Sequence, residues 1–263
     1  MKLVFENASD FLSGGIELLF SKAADRRKAK IAMVSIQTSM ELLAKFRLVE
    51  ALGFDKLVDG RPPADLASVR SGAFRSITYR RALQALEDVE GISPLDKELF
   101  DEAAAIRNKL IHFAGDLDLP EIRVTSAHLA VRALDRFASA GWRDAGEFAN
   151  HGRLLRGAAL KILTSFEPYR SEAVDSALDD PETETVLRCW ECKADALSLR
   201  VSETYFCHCC GLSAQSDVAA FADCRFCKAK KGVVYDPLNR SPKGHDGKCL
   251  HCDVRQWVSR RSF

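Results

Sequence analysis

Over roughly the first 165 residues, apolar side chains recur every three or four positions, the spacing that places them on one face of an α-helix. Helical patterns of this kind cover residues 10–24, 27–52, 76–90 and 93–113, and two more lie near 121–140 and 145–166. Gly53 directly follows the second pattern and suits the end of a helix. Because no strand-like alternation or internal repeat interrupts these patterns, the sequence predicts an all-α helical bundle.

The composition changes after this helical region. Residues 167–186, EPYRSEAVDSALDDPETETV, are acidic and contain two prolines, which is typical of a linker. Beyond them, cysteines, aromatic residues and short β-prone runs such as LSLRV, ETYF and KGVVYD become frequent. The sequence therefore predicts a helical domain at 1–167, a linker at 168–185 and a small module at 186–263.

The cysteines of the small module follow a metal-binding pattern. All 9 cysteines of the chain lie between Cys189 and Cys252. Each C-x-x-C turn directs two thiolates to one point, and two such turns supply the tetrahedral sulfur shell that zinc prefers. The sequence therefore predicts a zinc-ribbon module with two tandem four-cysteine sites and two structural zinc ions. The four pairs are Cys189 with Cys192, Cys207 with Cys210, Cys224 with Cys227, and Cys249 with Cys252.

The pairing of the turns leaves alternatives open. Sequential pairing joins the first turn to the second and the third to the fourth, whereas a cross-braced module would join the first to the third. Cys209 could replace Cys210 as a ligand or be a spectator. The histidines of the module could also substitute for a cysteine: His208, His245 and His251. A shell of four thiolates is closed, so we do not expect catalysis by the metal itself.

Charge adds little for the whole chain, whose formal net charge is +1. Residues 185–263, however, carry 13 Lys and Arg against 8 Asp and Glu, a net charge of +5. Aromatic residues lie among these basic side chains, a combination that favours contact with nucleic acid but also fits a small core with a solvated rim. The basic residues around the third C-x-x-C turn are the candidates for such contact: Arg225, Lys228, Lys230 and Lys231.

Two observations bear on the cellular compartment. The first ten residues, MKLVFENASD, lack the apolar segment of a secretory signal, and no run of about 18 apolar residues predicts a membrane span. Cysteines arranged for metal binding suit a reducing compartment. We therefore expect a cytoplasmic protein that has no membrane partner.

The helical region contains one group of residues suited to chemistry, Arg107-Asn108-x-x-x-His112. These residues could simply be the polar edge of a helix. They also supply what metal-free RNA cleavage needs, a histidine that titrates near neutral pH and an arginine that binds phosphate in two hydrogen bonds. At about 100° per residue, Arg107 and His112 lie about 140° apart around the helix. Joint action therefore needs a long arginine reach, or two copies facing each other across a dimer axis.

This motif resembles that of the HEPN superfamily of helical domains, in which an arginine is followed by a polar residue and then by a histidine. A second likeness is the segment Glu41-Leu42-Leu43-Ala44-Lys45, similar to a sequence that often occurs on a long HEPN helix. The resemblance extends over residues 6–140, about half of the chain, and does not include the cysteine module.

The resemblance implies a function. Many HEPN proteins are dimeric, metal-independent endoribonucleases that leave a 2′,3′-cyclic phosphate and a 5′-hydroxyl, and they recur in toxin–antitoxin and phage-defence systems. By this resemblance Arg107 binds the scissile phosphate, His112 is the general acid or base, Asn108 orients them and Glu41 supports the site. RNA, a second copy of the chain and an antitoxin or regulatory protein are the implied partners.

A second class of function competes with the enzyme. In that alternative the protein is a non-catalytic scaffold that binds nucleic acid or protein through its zinc ribbons. The two classes differ in whether RNA is cut and whether cutting requires His112.

Overall fold

The structure is a computed structural model that describes residues 2–60, 71–90, 94–112, 118–134, 151–202, 204–215, 220–235, 241 and 244–259. Contacts divide the chain into two units. The first comprises Met1–Glu147 with Gly152–Leu163, and the second comprises Phe148–His151 with Thr164–Phe263.

The first unit is helical, which confirms the fold class predicted for the N-terminal part. Residues 135–150, within the last two predicted helical stretches, lie outside the described residues. A short 3₁₀ helix, Phe54–Leu57, follows the second helix. The helices are α1 (Lys2–Leu19), α2 (Arg26–Leu52), α3 (Tyr79–Glu90), α4 (Pro94–His112), α5 (Leu119–Ala133), the short α6 (His151–Leu154) and α7 (Gly157–Thr164).

The core of this unit forms around α2, which contacts α1, α3, α4 and α5. The two helices α1 and α2 approach closely at Gly15, where an added Cβ atom would lie 2.8 Å from Cγ1 of Ile36 and 3.0 Å from the carbonyl oxygen of Ala32. Large apolar side chains from both helices are completely buried along this contact: Leu12, Ile16, Leu19, Met33, Ile36 and Met40.

Capping residues set both ends of α2. The carboxylate of Asp25 accepts a hydrogen bond of 2.8 Å from the backbone N–H of Lys28, a typical N-cap contact. Gly53 ends the helix with a φ of +91°, a conformation that glycine adopts without steric cost. The C-cap predicted at Gly53 is confirmed.

The second unit consists of one helix and two small antiparallel sheets, each with its strands in chain order. The helix is α8 (Glu167–Asp179). The first sheet comprises β1 (Thr183–Leu187), β2 (Leu197–Arg200), β3 (Thr204–Cys207) and β4 (Ser213–Gln215). The second comprises β5 (Ala220–Ala222), β6 (Val233–Tyr235), β7 (His245–Cys249) and β8 (Arg255–Val258).

The segment predicted as a linker at 168–185 is folded instead. It forms most of α8 and the beginning of β1, and α8 packs on β1 and β2. The hydroxyl of Tyr169, which is completely buried, donates a 2.8 Å hydrogen bond to the carbonyl oxygen of Cys209. Pro168 does not break the helix because it lies in the first turn, where the missing N–H has no helical partner.

The two sheets pack into one body. The ring of Tyr205 on β3 stacks on Phe221 of β5 with a centroid separation of 4.0 Å, and its hydroxyl donates to the carbonyl oxygen of Lys231 at 3.0 Å. The backbone N–H of Arg188 also donates to the carbonyl oxygen of Leu250 at 2.8 Å. The tandem ribbons therefore support each other through a shared aromatic core.

Candidate metal centres and candidate active-site cleft

The second unit contains two clusters of four thiols, each able to hold a metal ion. Within each cluster the four sulfur atoms lie within 4.8 Å of one another, and no disulfide links any of the cysteines. The first cluster is Cys189, Cys192, Cys207 and Cys210, and the second is Cys224, Cys227, Cys249 and Cys252.

Sulfur separations in the clusters fit tetrahedral coordination. A metal with bonds to sulfur of about 2.3 Å, as for zinc, requires sulfur–sulfur edges of about 3.8 Å. Two of the edges between the turns of each cluster are 3.7 Å: Cys189 to Cys210, Cys192 to Cys207, Cys224 to Cys252 and Cys227 to Cys249. Disulfide sulfurs would lie about 2.05 Å apart. The predicted sequential pairing is therefore confirmed.

The four turns share one backbone design, shown by the turn that begins at Cys189. The N–H of Cys189 donates to the carbonyl oxygen of Ala194, and the N–H of Lys193 donates back to the carbonyl oxygen of Cys189. The other three turns repeat both bonds. The residue after each second cysteine has a left-handed conformation, with φ between 62° and 69°: Lys193, Gly211, Lys228 and Asp253.

Cys209 and the histidines are not ligands in these clusters. Cys209 is completely buried, and its hydrogen bond with Cys192 and its burial raise the pKa of its thiol well above the ordinary range. Its sulfur is not among the four that form the first cluster. His208 is also buried and lies 3.1 Å from the hydroxyl of Ser198. The alternatives that place Cys209, His208, His245 or His251 among the ligands are wrong for the arrangement seen here.

A partly buried ionic network supports the second turn of the first cluster. Asp180, at the end of α8, accepts a 2.9 Å hydrogen bond from Nε of Arg200 and lies 3.5 Å from Nε2 of His208. Burial by itself would raise the pKa of Asp180. The hydrogen bonds from His208 and the Glu182 N–H, together with the charge of Arg200, lower it to about 2. Helix α8, which contains most of the segment predicted as a linker, thus stabilises the turn that carries Cys207 and Cys210.

The basic residues predicted for nucleic-acid contact surround the third turn. Arg225, Lys228 and Lys230 are exposed, and Lys231 is half-buried. The Arg225 guanidinium lies 4.8 Å from the ring centre of Phe226, a side chain that is 55% exposed. Cationic and aromatic groups are thus presented together to solvent.

In the helical unit, two of the motif residues border an open cleft of about 500 Å³. Arg107 and Asn108 on α4 and Glu41 on α2 line it together, although 66 positions separate Glu41 from Arg107 in the chain. A guanidinium nitrogen of Arg107 donates a 2.9 Å hydrogen bond to Oδ1 of Asn108. His112 is the last residue of α4, and its side chain lies outside the described residues.

Glu41 also has the ordinary role of a helix glutamate. Its carboxylate lies 2.5 Å from Nζ of Lys45, one turn later on α2, and Lys45 donates a further 2.9 Å hydrogen bond to Ser76. The predicted support residue is therefore both a salt-bridge partner and a lining residue of the cleft.

Sequence reasoning missed the other residues of the cleft. On α4, Asp101, Ala104, Ala105 and Asn108 line it with spacings of three and four, so the face that carries Asn108 could have been extended from sequence. No sequence signal marked the lining residues on α2 and at the start of α3: Gln37, Thr78, Tyr79 and Arg80.

Comparisons with known proteins add no relative. Protein-family models, curated proteins and solved structures were searched, and none of the three searches returned a match. Within the described part of the chain, no helix has the length and apolar character needed to span a membrane.

Proposed function

We propose that this protein is a metal-independent endoribonuclease of the HEPN type, with Arg107, Asn108 and His112 at its active site. One observation carries the proposal. The arginine and asparagine of the motif and the distant Glu41 line the same cleft, and Asn108 holds the guanidinium of Arg107. A polar helix edge would not need a partner residue on another helix, nor a cleft large enough for part of a nucleic-acid strand.

The chemistry assigned to these residues is transesterification of RNA. The 2′-hydroxyl of a ribose gives up its proton and its oxygen attacks the adjacent phosphorus. The bond from phosphorus to the 5′-oxygen breaks, and the 5′-oxygen takes up a proton. Arg107 stabilises the charge that develops on the phosphate oxygens. His112 exchanges the proton as general acid or base. The products are a 2′,3′-cyclic phosphate and a 5′-hydroxyl, and no metal is needed.

A homodimer is part of this proposal. Because Arg107 and His112 are about 140° apart around α4, one copy of the helix presents them in different directions. Two copies packed across an axis would place the Arg107 of one beside the His112 of the other. The toxin–antitoxin and phage-defence settings, and an antitoxin or regulatory partner, belong to the same proposal.

The second unit is proposed to bind two zinc ions that stabilise its fold. Four thiols with 3.7 Å edges suit zinc, and sheets this small bury too little apolar surface to be stable alone. The exposed basic and aromatic residues around the third turn would then contact RNA: Arg225, Phe226, Lys228 and Lys230.

Cleavage of a labelled RNA in EDTA by wild-type protein and by His112→Ala tests the enzyme. We expect wild type to cut and leave a cyclic phosphate, and the variant to lose cutting while its circular dichroism is unchanged. Zinc content is measured afterwards, so that a stripped ribbon is not mistaken for an inactive site. Cutting that persists in both His112→Ala and Arg107→Ala would refute the proposal.

The scaffold alternative has an observation of its own. The second unit presents Phe226 and Trp257, 55% and 44% exposed, beside two closed thiol clusters. If no RNA is cut, while binding to RNA persists and is lost on zinc removal, the scaffold is the better account.

A further inference from the structure

Burial along the cleft increases in one direction. Its exposed residues are Thr78, Arg80, Asp101, Ala105 and Asn108, and its half-buried residues are Glu41, Tyr79, Ala104 and Arg107. Gln37 is the most buried of the lining residues, with 6% of its surface exposed. The cleft therefore has a charged, solvated rim and a neutral polar interior.

Two polar atoms of this interior lack partners. Within the part of the chain that the structure describes, neither Oε1 of Gln37 nor the hydroxyl of Tyr79 makes a hydrogen bond of ordinary geometry, and both atoms are buried. A buried polar atom without a partner is costly, and folded proteins rarely retain one without a reason. Both side chains line the cleft and lie near each other, although the two atoms themselves are closed to solvent. Rotation of the two end groups would present these atoms to a ligand with complementary groups.

The cleft is large enough to hold a ligand that contains an aromatic ring system. Its volume of about 500 Å³ is in the usual range for small-molecule sites. The α4 wall opposite α2 is formed partly by Ala104 and Ala105, whose short side chains leave the space open.

Charges at the rim suit a phosphate beside that ring. Arg107 is half-buried and held by Asn108, which prepares its guanidinium for a bidentate contact. Glu41 opposes an anion less than its position suggests, because Lys45 lies 2.5 Å from its carboxylate. Asp101 also lines the cleft, where Arg80 supplies a second cation. A neutral ring pocket next to a cation matches a nucleotide.

We propose that the interior of the cleft, at Gln37 and Tyr79, binds the base of the RNA nucleotide whose phosphate Arg107 holds. The inference rests on the proposed ribonuclease function and deepens it, because it makes Gln37 a residue that determines base preference. The amide of Gln37 offers both a donor and an acceptor, and rotation of its last bond exchanges them. Bases differ in the order of donors and acceptors on their edges, so one buried amide discriminates among them.

Tyr79 supplies the second contact. Burial raises the pKa of its phenol well above the ordinary value, so the hydroxyl keeps its proton at neutral pH and donates to an acceptor on the base. The side-chain amide of Gln37 interacts with this hydroxyl and lowers the pKa, but the effect of burial is larger. The two groups therefore form one recognition surface.

The four nucleoside 3′-monophosphates, titrated into the full-length zinc-loaded protein by calorimetry, test the proposal without requiring cleavage. Inorganic phosphate serves as the probe without a base. We expect wild type to prefer one base over the others by about tenfold, the effect of one well-placed hydrogen bond. Gln37→Met keeps the shape of the side chain and should remove this preference, with binding of inorganic phosphate unchanged.

Thermal melting separates recognition from a structural role. Gln37→Met removes an unpaired buried polar group, so its melting temperature should equal or exceed that of wild type while base preference is lost. A structural role for Gln37 would instead lower the melting temperature and leave the preference intact.

Ala105→Leu provides an independent variant, since position 105 is exposed and leucine favours helices. It should fill the cleft and weaken nucleotide binding at least tenfold. Ala51→Leu is the matched control, because Ala51 is exposed on α2 and does not line the cleft.

The outcomes distinguish failure of the proposed base pocket from failure of the proposed ribonuclease function. Base-selective binding that depends on Gln37, in a protein that cuts no RNA, would refute the ribonuclease and keep the pocket. Equal binding of all four nucleotides, no binding, or wild-type preference in both Gln37→Met and Ala105→Leu would overturn the pocket, whether or not RNA is cut.

Discussion

The guanidinium of Arg107 donates a 2.9 Å hydrogen bond to the amide oxygen of its neighbour Asn108, in a cleft that Glu41 also lines. Consecutive residues on a helix point about 100° apart, so this bond requires both side chains to turn toward each other. In the proposed active site, this bond would let Asn108 position the guanidinium of Arg107.

Replacing Asn108 tests that role. We expect Asn108→Ala to lower kcat/KM for RNA by about 10- to 100-fold, because a misplaced guanidinium stabilises the developing phosphate charge less well. Stability should hardly change, since Asn108 is exposed. Asn108→Asp keeps an oxygen acceptor for Arg107 and should recover part of the activity. Lys109→Ala, the exposed neighbour that does not line the cleft, is the control; equal activity of Asn108→Ala and Lys109→Ala would contradict the role.

The metal clusters predict different results for two adjacent cysteines. Wild-type protein should contain two zinc ions per chain by elemental analysis. Cys210→Ser removes a ligand of the first cluster, so its content should fall to about one. Cys209→Ser should keep both ions, because the sulfur of Cys209 is not one of the four that form the cluster. A loss of zinc in Cys209→Ser equal to that in Cys210→Ser would show that the ligand assignment is wrong.

Asp180 should stabilise the second unit. Asp180→Asn removes the charge paired with Arg200 and should lower the free energy of unfolding by about 1–3 kcal/mol, measured by denaturant titration of the zinc-loaded protein. Asp175→Asn, at an exposed position of the same helix, should have little effect.

The pH dependence of this difference follows from the pKa of Asp180. Its folded-state pKa of about 2 lies below the ordinary value of 3.8, so its stabilisation is present above 3.8 and is lost only as the pH falls toward 2. Wild type and Asp180→Asn should therefore differ by the same amount at pH about 7.5 and about 5.5. A difference that disappears by the lower pH would mean that the folded-state pKa of Asp180 is raised above its ordinary value instead of lowered.

Two neighbouring glycines of α1 should respond in opposite directions to alanine. At Gly14 nothing lies within 4 Å of an added Cβ, so Gly14→Ala should stabilise the protein by about 0.5–1 kcal/mol through helix propensity. At Gly15 the same atom meets Ile36 and the backbone of Ala32, and overpacking of about 1–3 kcal/mol should exceed that gain. Thermal melting should therefore rank Gly14→Ala above wild type and Gly15→Ala below it. A Gly15→Ala variant as stable as Gly14→Ala would show that α1 and α2 can separate at little cost.

The helices could be predicted because the apolar spacing that indicates a helix involves only residues close together in the sequence. The three- and four-residue apolar spacing marked α1, α2, α3 and α4, and Gly53 marked an end. The error at 168–185 shows where the same reasoning stops. Acidic residues and prolines are typical of linkers, but Tyr169 is buried by contact with Cys209, a partner 40 positions away that composition does not reveal.

The sequence by itself determined the eight thiol ligands and the spacing of the Arg107 motif, because C-x-x-C turns and helical periodicity act over a few residues. Only the tertiary structure decided that adjacent turns pair, that Cys209 stays outside the cluster, and that α2, α3 and α4 enclose a cleft with Gln37 inside it. The physical reason is distance along the chain. Local spacing constrains where a side chain points, whereas a site requires side chains from remote segments to meet, and packing of the whole core decides which of them do.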